Sequence, residues 1–490
     1  MKRYRATIAF VLIVGALIAL GYAAFGPQKA TAALLSGLTL AALYFLLGAG
    51  LSLIFGLMDV LNFAHGILFM VGAYVGYTVF GNPRLILNTA PLFLALAVGM
   101  IAGVRLGRSI PAHRVLPYLL ALLGIGVMVW GVWGFPLRPL VAFEPTTAGG
   151  AIPTALAQEP LPRMMVRLVQ LALAGLLLGP AFARWRREER QTSPWRPVAL
   201  GVGLAALAVL LLLGRDGLEK FLLGLSVDVR FLLALVAGAA TGAALGALVE
   251  TTLIRPFYGR PVTQIVLTLG LMFAGAELVK FVWGKEGRPP MAVPTAFSRS
   301  CRSPNLIAWL TEQCSSIDVL GRAFPTYRLL IIAIGLLILV GVALLLKYSR
   351  LGMIVRAGVQ DSAMVEALGI NVRRVFTTVF ALGSALAALG GVVAAPFIGV
   401  YPEMGSTFQL QAFIAVVIGG MGSYAGTAVG ALVLGLARAL GDTLVTTGIA
   451  LPGMAEALRA SPAVARASTV LIMAVVLLVR PAGIFGKSSQ

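Results

Sequence analysis

Side chains able to do acid–base, nucleophilic or metal chemistry are few in this 490-residue chain and widely scattered. Its two histidines, His65 and His113, have no cysteines or carboxylates beside them at ligand spacing, so the sequence predicts no metal centre. A proton relay through His65 is chemistry the residue type permits, and structural hydrogen bonding is its simpler use. Cys301 and Cys314 share one polar segment. Facing an oxidising compartment they would close a disulfide, and otherwise they stay free thiols. Gly483-Ile-Phe-Gly-Lys487-Ser488 imitates the end of a phosphate-binding loop, but Pro481 stands where its first glycine belongs. Gly420-Met-Gly422-Ser-Tyr-Ala425 approaches a dinucleotide fingerprint without the βαβ unit that gives such a fingerprint its meaning. Neither an enzyme nor a cofactor is predicted. The densest polar patch is Gly56–Gly66, where Asp59, Asn62 and His65 crowd a short connection between apolar runs.

The elements that must position these residues follow from composition. Hydrophobic residues make up 59% of the chain and charged residues 11%, with a mean hydropathy of +0.96. A soluble fold of this length could not hide that much apolar surface, whereas bilayer hydrocarbon is a solvent for it. The fold class expected is all-α: a polytopic transmembrane helix bundle of about 14 spanning helices, each apolar run being near the ~20 residues that cross a bilayer. The runs lie at 6–26, 31–56, 62–80, 90–104, 115–134, 166–183, 198–214, 231–254, 262–284, 327–347, 374–398, 407–421, 425–445 and 466–482. The net charge of +20 sits mostly in short clusters between runs, such as Arg184–Arg190 and Arg350–Arg356. That is the pattern of cytoplasmic loops, and it argues against a nucleic-acid partner. It also puts both termini in the cytoplasm, with Asp216–Asp228 and the long segment 285–326 outside. Residues 1–30 read as an extra N-terminal transmembrane helix, 31–84 as the first part of a core, 85–229 as an inserted region of about four helices, and 230–490 as the rest of the core.

At membrane depth polar groups are expensive unless they line a cavity or bind one another. Asp59, Asn62 and His65 therefore read either as a broken helix beside a translocation path or as a cytoplasmic turn in which Asp59 and Asn62 cap the next helix. Glu277 with Lys280 and Arg438 with Asp442 stand at helical i,i+3 and i,i+4 spacing, so each pair can neutralise itself. Gly238, Gly242 and Gly246, and again Gly426 and Gly430, form the small-xxx-small pattern of closely packed membrane helices. Tyr348–Arg374 differs from both, being a loop (349–373) with a helical pattern of its own. Ala363, Met364, Ala367 and Leu368 share one face, and Gly369 stops the helix. An apolar ridge flanked by Arg356, Asp361 and Glu366 suits a groove on another protein better than a lipid surface, because carboxylates lie between its basic ends.

Taken in order, GLSLIFGLMDVLNFAHG, RPFYGRPVTQIVLTLGL, YSRLGMIVRAGVQDSAMVEALGINVRR, AVVIGGMGSYAGTAVGALVLGLA and a final PAGIF resemble the permease subunits of branched-chain amino acid ABC importers. The resemblance covers roughly 31–84 and 230–486, and the first helix and 85–229 depart from it. It implies a permease that works by alternating access in the inner membrane of a bacterium, in contact with membrane lipid. It would pair with a second related permease subunit, two ABC ATPase subunits and an extracytoplasmic substrate-binding protein. The coupling contact with the ATPase would fall on Arg356, Asp361, Ala363, Glu366, Ala367, Leu368 and Gly369. Permeases for urea or short amides are the nearest alternative. An ion-coupled secondary transporter would want an unpaired buried acid, and none stands out in the sequence.

Overall fold

The computed structural model describes residues 2–58, 60–109, 115–135, 159–185, 195–360, 362–448, 461–480 and 483–486. In chain order its helices are α1 (Lys2–Met58), α2 (His65–Gly81), α3 (Arg84–Ser109), α4 (Leu116–Val132), α5 (Leu161–Trp185), α6 (Trp195–Leu213), α7 (Arg215–Gly224) and α8 (Val227–Val249). α8 runs on into a π-helical turn, Glu250–Ile254, and a 3-10 turn, Arg255–Phe257. There follow α9 (Pro261–Trp283), α10 (Leu306–Glu312), α11 (Tyr327–Tyr348), α12 (Arg350–Gln360), α13 (Ser362–Ala367), α14 (Val372–Ile398), α15 (Met404–Gly419), α16 (Tyr424–Thr447) and α17 (Pro462–Val479). Each apolar run of the sequence overlaps one of these helices. Among the described residues, eight helices are long and apolar enough to cross a membrane, or nine if α6 and α7, bent by 72°, form one span. The first two runs share α1, which breaks at Gly26 (φ 70°), with Pro27 after it. α2, α4 and α15 are apolar but only 16–17 residues long.

The chain divides into two compact units, Met1–Tyr77 with Val227–Gln490, and Thr78–Ser226. At the centre of the first lies α14, whose glycine-rich middle is buried on nearly every side. Apolar burial gives little drive between helices in lipid, so small residues at crossings and the close backbone approach they permit carry the packing. A Cβ on Gly391 would fall on the Phe69 carbonyl of α2, and one on Gly72 would strike Ala388. Gly383 meets Gly50 and Ile54 of α1. On another side, Gly238, Gly242 and Gly246 of α8 seat Val392, Ala388 and Ser384. Gly426 and Gly430 of α16 do the same against Gly419 and Ala415 of α15. The glycine spacings visible in the sequence are thus helix crossings.

Between α9 and α11 a small sheet departs from the all-helical expectation. β1 (Arg299–Ser303) pairs parallel with β2 (Cys314–Val319), which pairs antiparallel with β3 (Arg322–Pro325). Cys301 and Cys314 form a disulfide between the first two strands, with Cα atoms 4.8 Å apart. Trp309 stacks on Phe297 at 5.3 Å and donates its indole N–H to the Cys314 carbonyl.

The second unit packs α3 on α5 through the same device, Gly99 and Gly103 facing Ala172 and Leu176. Leu92, Ala95, Met164, Leu168, Leu171 and Leu212 fill its core. Asp216–Asp228, read from sequence as a loop, is largely helical, because Arg215 and Glu219 on α7 find partners in Asn88 (3.2 Å) and Arg84 (2.5 Å).

Candidate functional site

The segment joining α11 to α14 is built around its turns. Ser349 opens α12, its hydroxyl accepting the Gly352 N–H at 2.9 Å, and the exposed Arg356 donates back to the Lys347 carbonyl at 3.3 Å. At the far end of α13, Gly369 N–H bonds to the Glu366 carbonyl (2.9 Å) and Ile370 N–H to that of Val365 (3.3 Å). With Gly369 at φ 78°, these two bonds make a Schellman stop, the left-handed C-terminal cap that glycine adopts most cheaply. Asn371 then caps α14, its side chain accepting the Arg374 N–H at 3.1 Å. Inside the hairpin Val365 is buried. Met364, Glu366, Ala367, Leu368 and Gly369 face outward, with Met364 and Leu368 60% and 73% exposed. Asp361 lies outside the described residues, as does the side chain of Ala363. The tip is therefore a small apolar surface on a turn of fixed geometry.

Eight residues after Gly369, at Thr377, α14 enters a polar network centred on a residue that the sequence does not single out. Glu250, in the π-helical turn after α8, is fully buried. Its carboxylate accepts from Arg255 (3.2 and 3.1 Å), from the Tyr258 hydroxyl (2.5 Å) and from the Thr377 hydroxyl (2.7 Å). Arg255 also donates to Thr377 at 2.7 Å. Burial, with the Glu250 carboxylate beside it, holds the Tyr258 phenol well above its ordinary range, so at neutral pH it remains a donor. Thr377 lies on the second turn of α14, so the network ties the start of α14 to the elbow between α8 and α9. The π turn is what brings Glu250, Arg255 and Tyr258 to one point, a use such turns often serve at functional places. One signal was present in the sequence: an acid near the end of the apolar run 231–254 with Arg255 just beyond it. Glu250→Ala would strand an arginine, a phenol and a hydroxyl around an empty acceptor site. It is expected to cost about 3–5 kcal/mol, the usual cost of breaking a buried pair. Glu250→Gln, which keeps one acceptor, should cost less. Thermal unfolding of the two variants in detergent would check the order.

The polar patch of the sequence is split. Asp59 lies outside the described residues, as does the other histidine, His113. Asn62 and His65 are both buried, at 2% and 0% exposure. Asn62 forms the turn into α2: its side chain accepts the Ala64 N–H at 3.0 Å, and its carbonyl accepts the His65 N–H and the Gln409 side chain, each at 3.3 Å. His65 packs where α1 crosses α14, and a Cβ on Gly50 would sit 2.7 Å from its Nε2. Of the two ion pairs, Lys280 meets Glu277 at 2.9 Å and Arg438 meets Asp442 at 3.1 Å. Among the described residues, no group of three or more His, Cys, Asp or Glu side chains could hold a metal ion.

Comparison with known proteins gives this arrangement a context. The family model described as branched-chain amino acid transport system / permease component matches residues 33–137 and 197–480. The high-affinity branched-chain amino acid transport system permease protein LivH of Salmonella typhimurium is 28% identical over 287 residues, covering 58% of this chain and 81% of LivH. LivH of Escherichia coli K12 is 29% identical over 272 residues, 54% of this chain and 79% of LivH. The fructose import permease protein FruF of Bifidobacterium longum is 28% identical over 258 residues, 51% of this chain and 64% of FruF. No solved structure matches the chain significantly. These relatives are transport subunits and not enzymes, and the family match takes in well over half of the sequence. The chain belongs to the permease-component family of branched-chain amino acid transport systems.

Proposed function

We propose that the chain is the membrane-spanning subunit of an importer for branched-chain amino acids in the inner membrane of a bacterium. It pairs with a second permease, is driven by two separate ATPase subunits and receives substrate from an extracytoplasmic binding protein. The observation that carries this reading is the family match over residues 33–137 and 197–480, joined to an outward-facing tip at Met364–Gly369. Arg356, Asp361, Ala363, Glu366, Ala367, Leu368 and Gly369 are assigned to the contact with the ATPase. ATP binding closes the ATPase pair and pushes on the tip. The rigid Gly369 stop passes that displacement to α14, and α14 moves the helices that cross it. Asp59, Asn62 and His65 are assigned to the translocation path, since Asn62 and His65 hold the entry to α2 against α14 and α15.

The substrate follows from LivH and its like, whose names specify branched-chain amino acids. FruF and the ribose permease RbsC carry sugar names, at similar identity over less of this chain. Equilibrium binding of leucine, urea and fructose to the cognate binding protein separates the readings. Leucine is the ligand expected, and tight binding of urea or fructose with none of leucine would overturn the choice.

A further inference from the structure

α9 packs on the bundle by one side only. Gln264, Thr268 and Val279 are buried, Gly275 rests on Ile67 of α2, and Trp283 lies against Tyr74 with ring centroids 5.3 Å apart. The opposite side, Val262, Val266, Gly270, Phe273, Glu277 and Phe281, is exposed along the whole helix. Such a face would suit lipid were it apolar throughout, as is the exposed side of α11 with Leu336, Leu337, Val340 and Leu344. It is not apolar throughout. Glu277, with 70% of its side chain exposed, pairs with Lys280 at 2.9 Å, and Lys280 approaches the exposed Glu403 of the α15 N-terminus at 4.0 Å.

Depth makes the charges telling. At 1.5 Å per residue the 23 residues of α9 span about 34 Å, against about 30 Å of hydrocarbon. Glu277 lies six positions before Trp283, so it sits roughly 7 Å inside the hydrocarbon boundary if the helix is centred. A lysine can reach out of such a place along its own stem, but a glutamate is too short to do so. Charged groups at this depth face protein or water, not lipid tails. The end of α9 in question is the one away from the start of α14, because its other end follows Tyr258, which bonds Glu250, and Glu250 bonds Thr377 on the second turn of α14.

We propose that the exposed face of α9 borders the second permease subunit, a subunit of the same family, and that Glu277, Lys280 and Glu403 line a water-filled mouth between the two. The proposal rests on the paired-permease reading above. Two carboxylates and one ammonium at such a mouth offer both signs of charge to a zwitterionic amino acid.

The test uses the full complex in its membrane. A photo-crosslinking amino acid at Phe273 should yield an adduct whose peptides belong to a permease of this family, whereas the same probe at Leu337 of α11 should yield lipid adducts. In parallel, Glu277→Cys should react with a membrane-impermeant thiol reagent added from outside. Lipid adducts alone at position 273, or an inert Glu277→Cys in a complex that still transports, would overturn the proposal. The paired reading has its own readout: purification of the tagged chain with a second permease subunit in the complex leaves pairing intact, and a complex with one permease would overturn both.

Discussion

Gly391→Val is expected to remove folded protein from the membrane. The new Cβ would fall on the Phe69 carbonyl, in the backbone of α2, where no side chain can swing aside to relieve it. Ordinary overpacking costs about 1–3 kcal/mol, and an obstacle made of backbone forces the helices apart and exceeds that. The loss would spread, because the same helix also carries Gly383 against Gly50 and Ser384 against Gly246. Size-exclusion chromatography of the detergent-solubilised variant should show aggregate in place of the monodisperse peak. Gly341→Val, on the exposed side of α11 with nothing within 4 Å of its Cβ, should behave like the parent. Equal behaviour of the two variants would show that α14 is not the packing centre of its unit.

The second large effect is expected at the Met364–Gly369 tip, with the opposite signature. Ala367→Arg places a long charged side chain on an exposed surface, and Gly369→Val asks a β-branched residue to hold φ near 78°. A Cβ at Gly369 meets nothing within 4 Å, so the harm there is to the backbone of the turn and not to packing. Neither change reaches the membrane core, so expression and the elution profile should remain normal. A central interface position is worth about 2 kcal/mol or more, which is a loss of roughly 30-fold in affinity for the partner. Uptake and substrate-stimulated ATP hydrolysis should fall together. Variants that keep both, with the ATPases still bound, would mean that the tip is not the coupling contact.

These two expectations mark what the sequence could and could not tell. Helix positions were legible because apolar runs near span length have few alternatives in a bilayer. The crossings of α8 with α14 and of α15 with α16 were legible because glycine every fourth residue has a direct mechanical meaning there. Gly369 was legible as a helix stop for a related reason, since the left-handed position after a helix selects glycine. Glu250 was legible only as an acid beside Arg255 at the end of an apolar run, because its role depends on Thr377, 127 positions away, and on a π turn that no residue pattern announces. The helix in Asp216–Asp228 escaped for the same reason: its buried Arg215 and Glu219 answer Asn88 and Arg84 from a distant part of the chain. The small sheet on the disulfide was hidden by its polar, arginine-rich sequence, which carries no clean alternation. Asn62 and His65 were found as a patch, but burial inside the bundle could not be read from their spacing alone.

The central claim is that this chain carries an aliphatic amino acid across a membrane at the expense of ATP hydrolysed by partner subunits. Its most direct test is uptake of radiolabelled leucine by proteoliposomes holding the purified complex, with the binding protein outside and ATP enclosed. Accumulation that requires enclosed ATP and vanishes with a non-hydrolysable analogue is the result predicted. Accumulation that proceeds without ATP and follows an imposed proton or sodium gradient would contradict it.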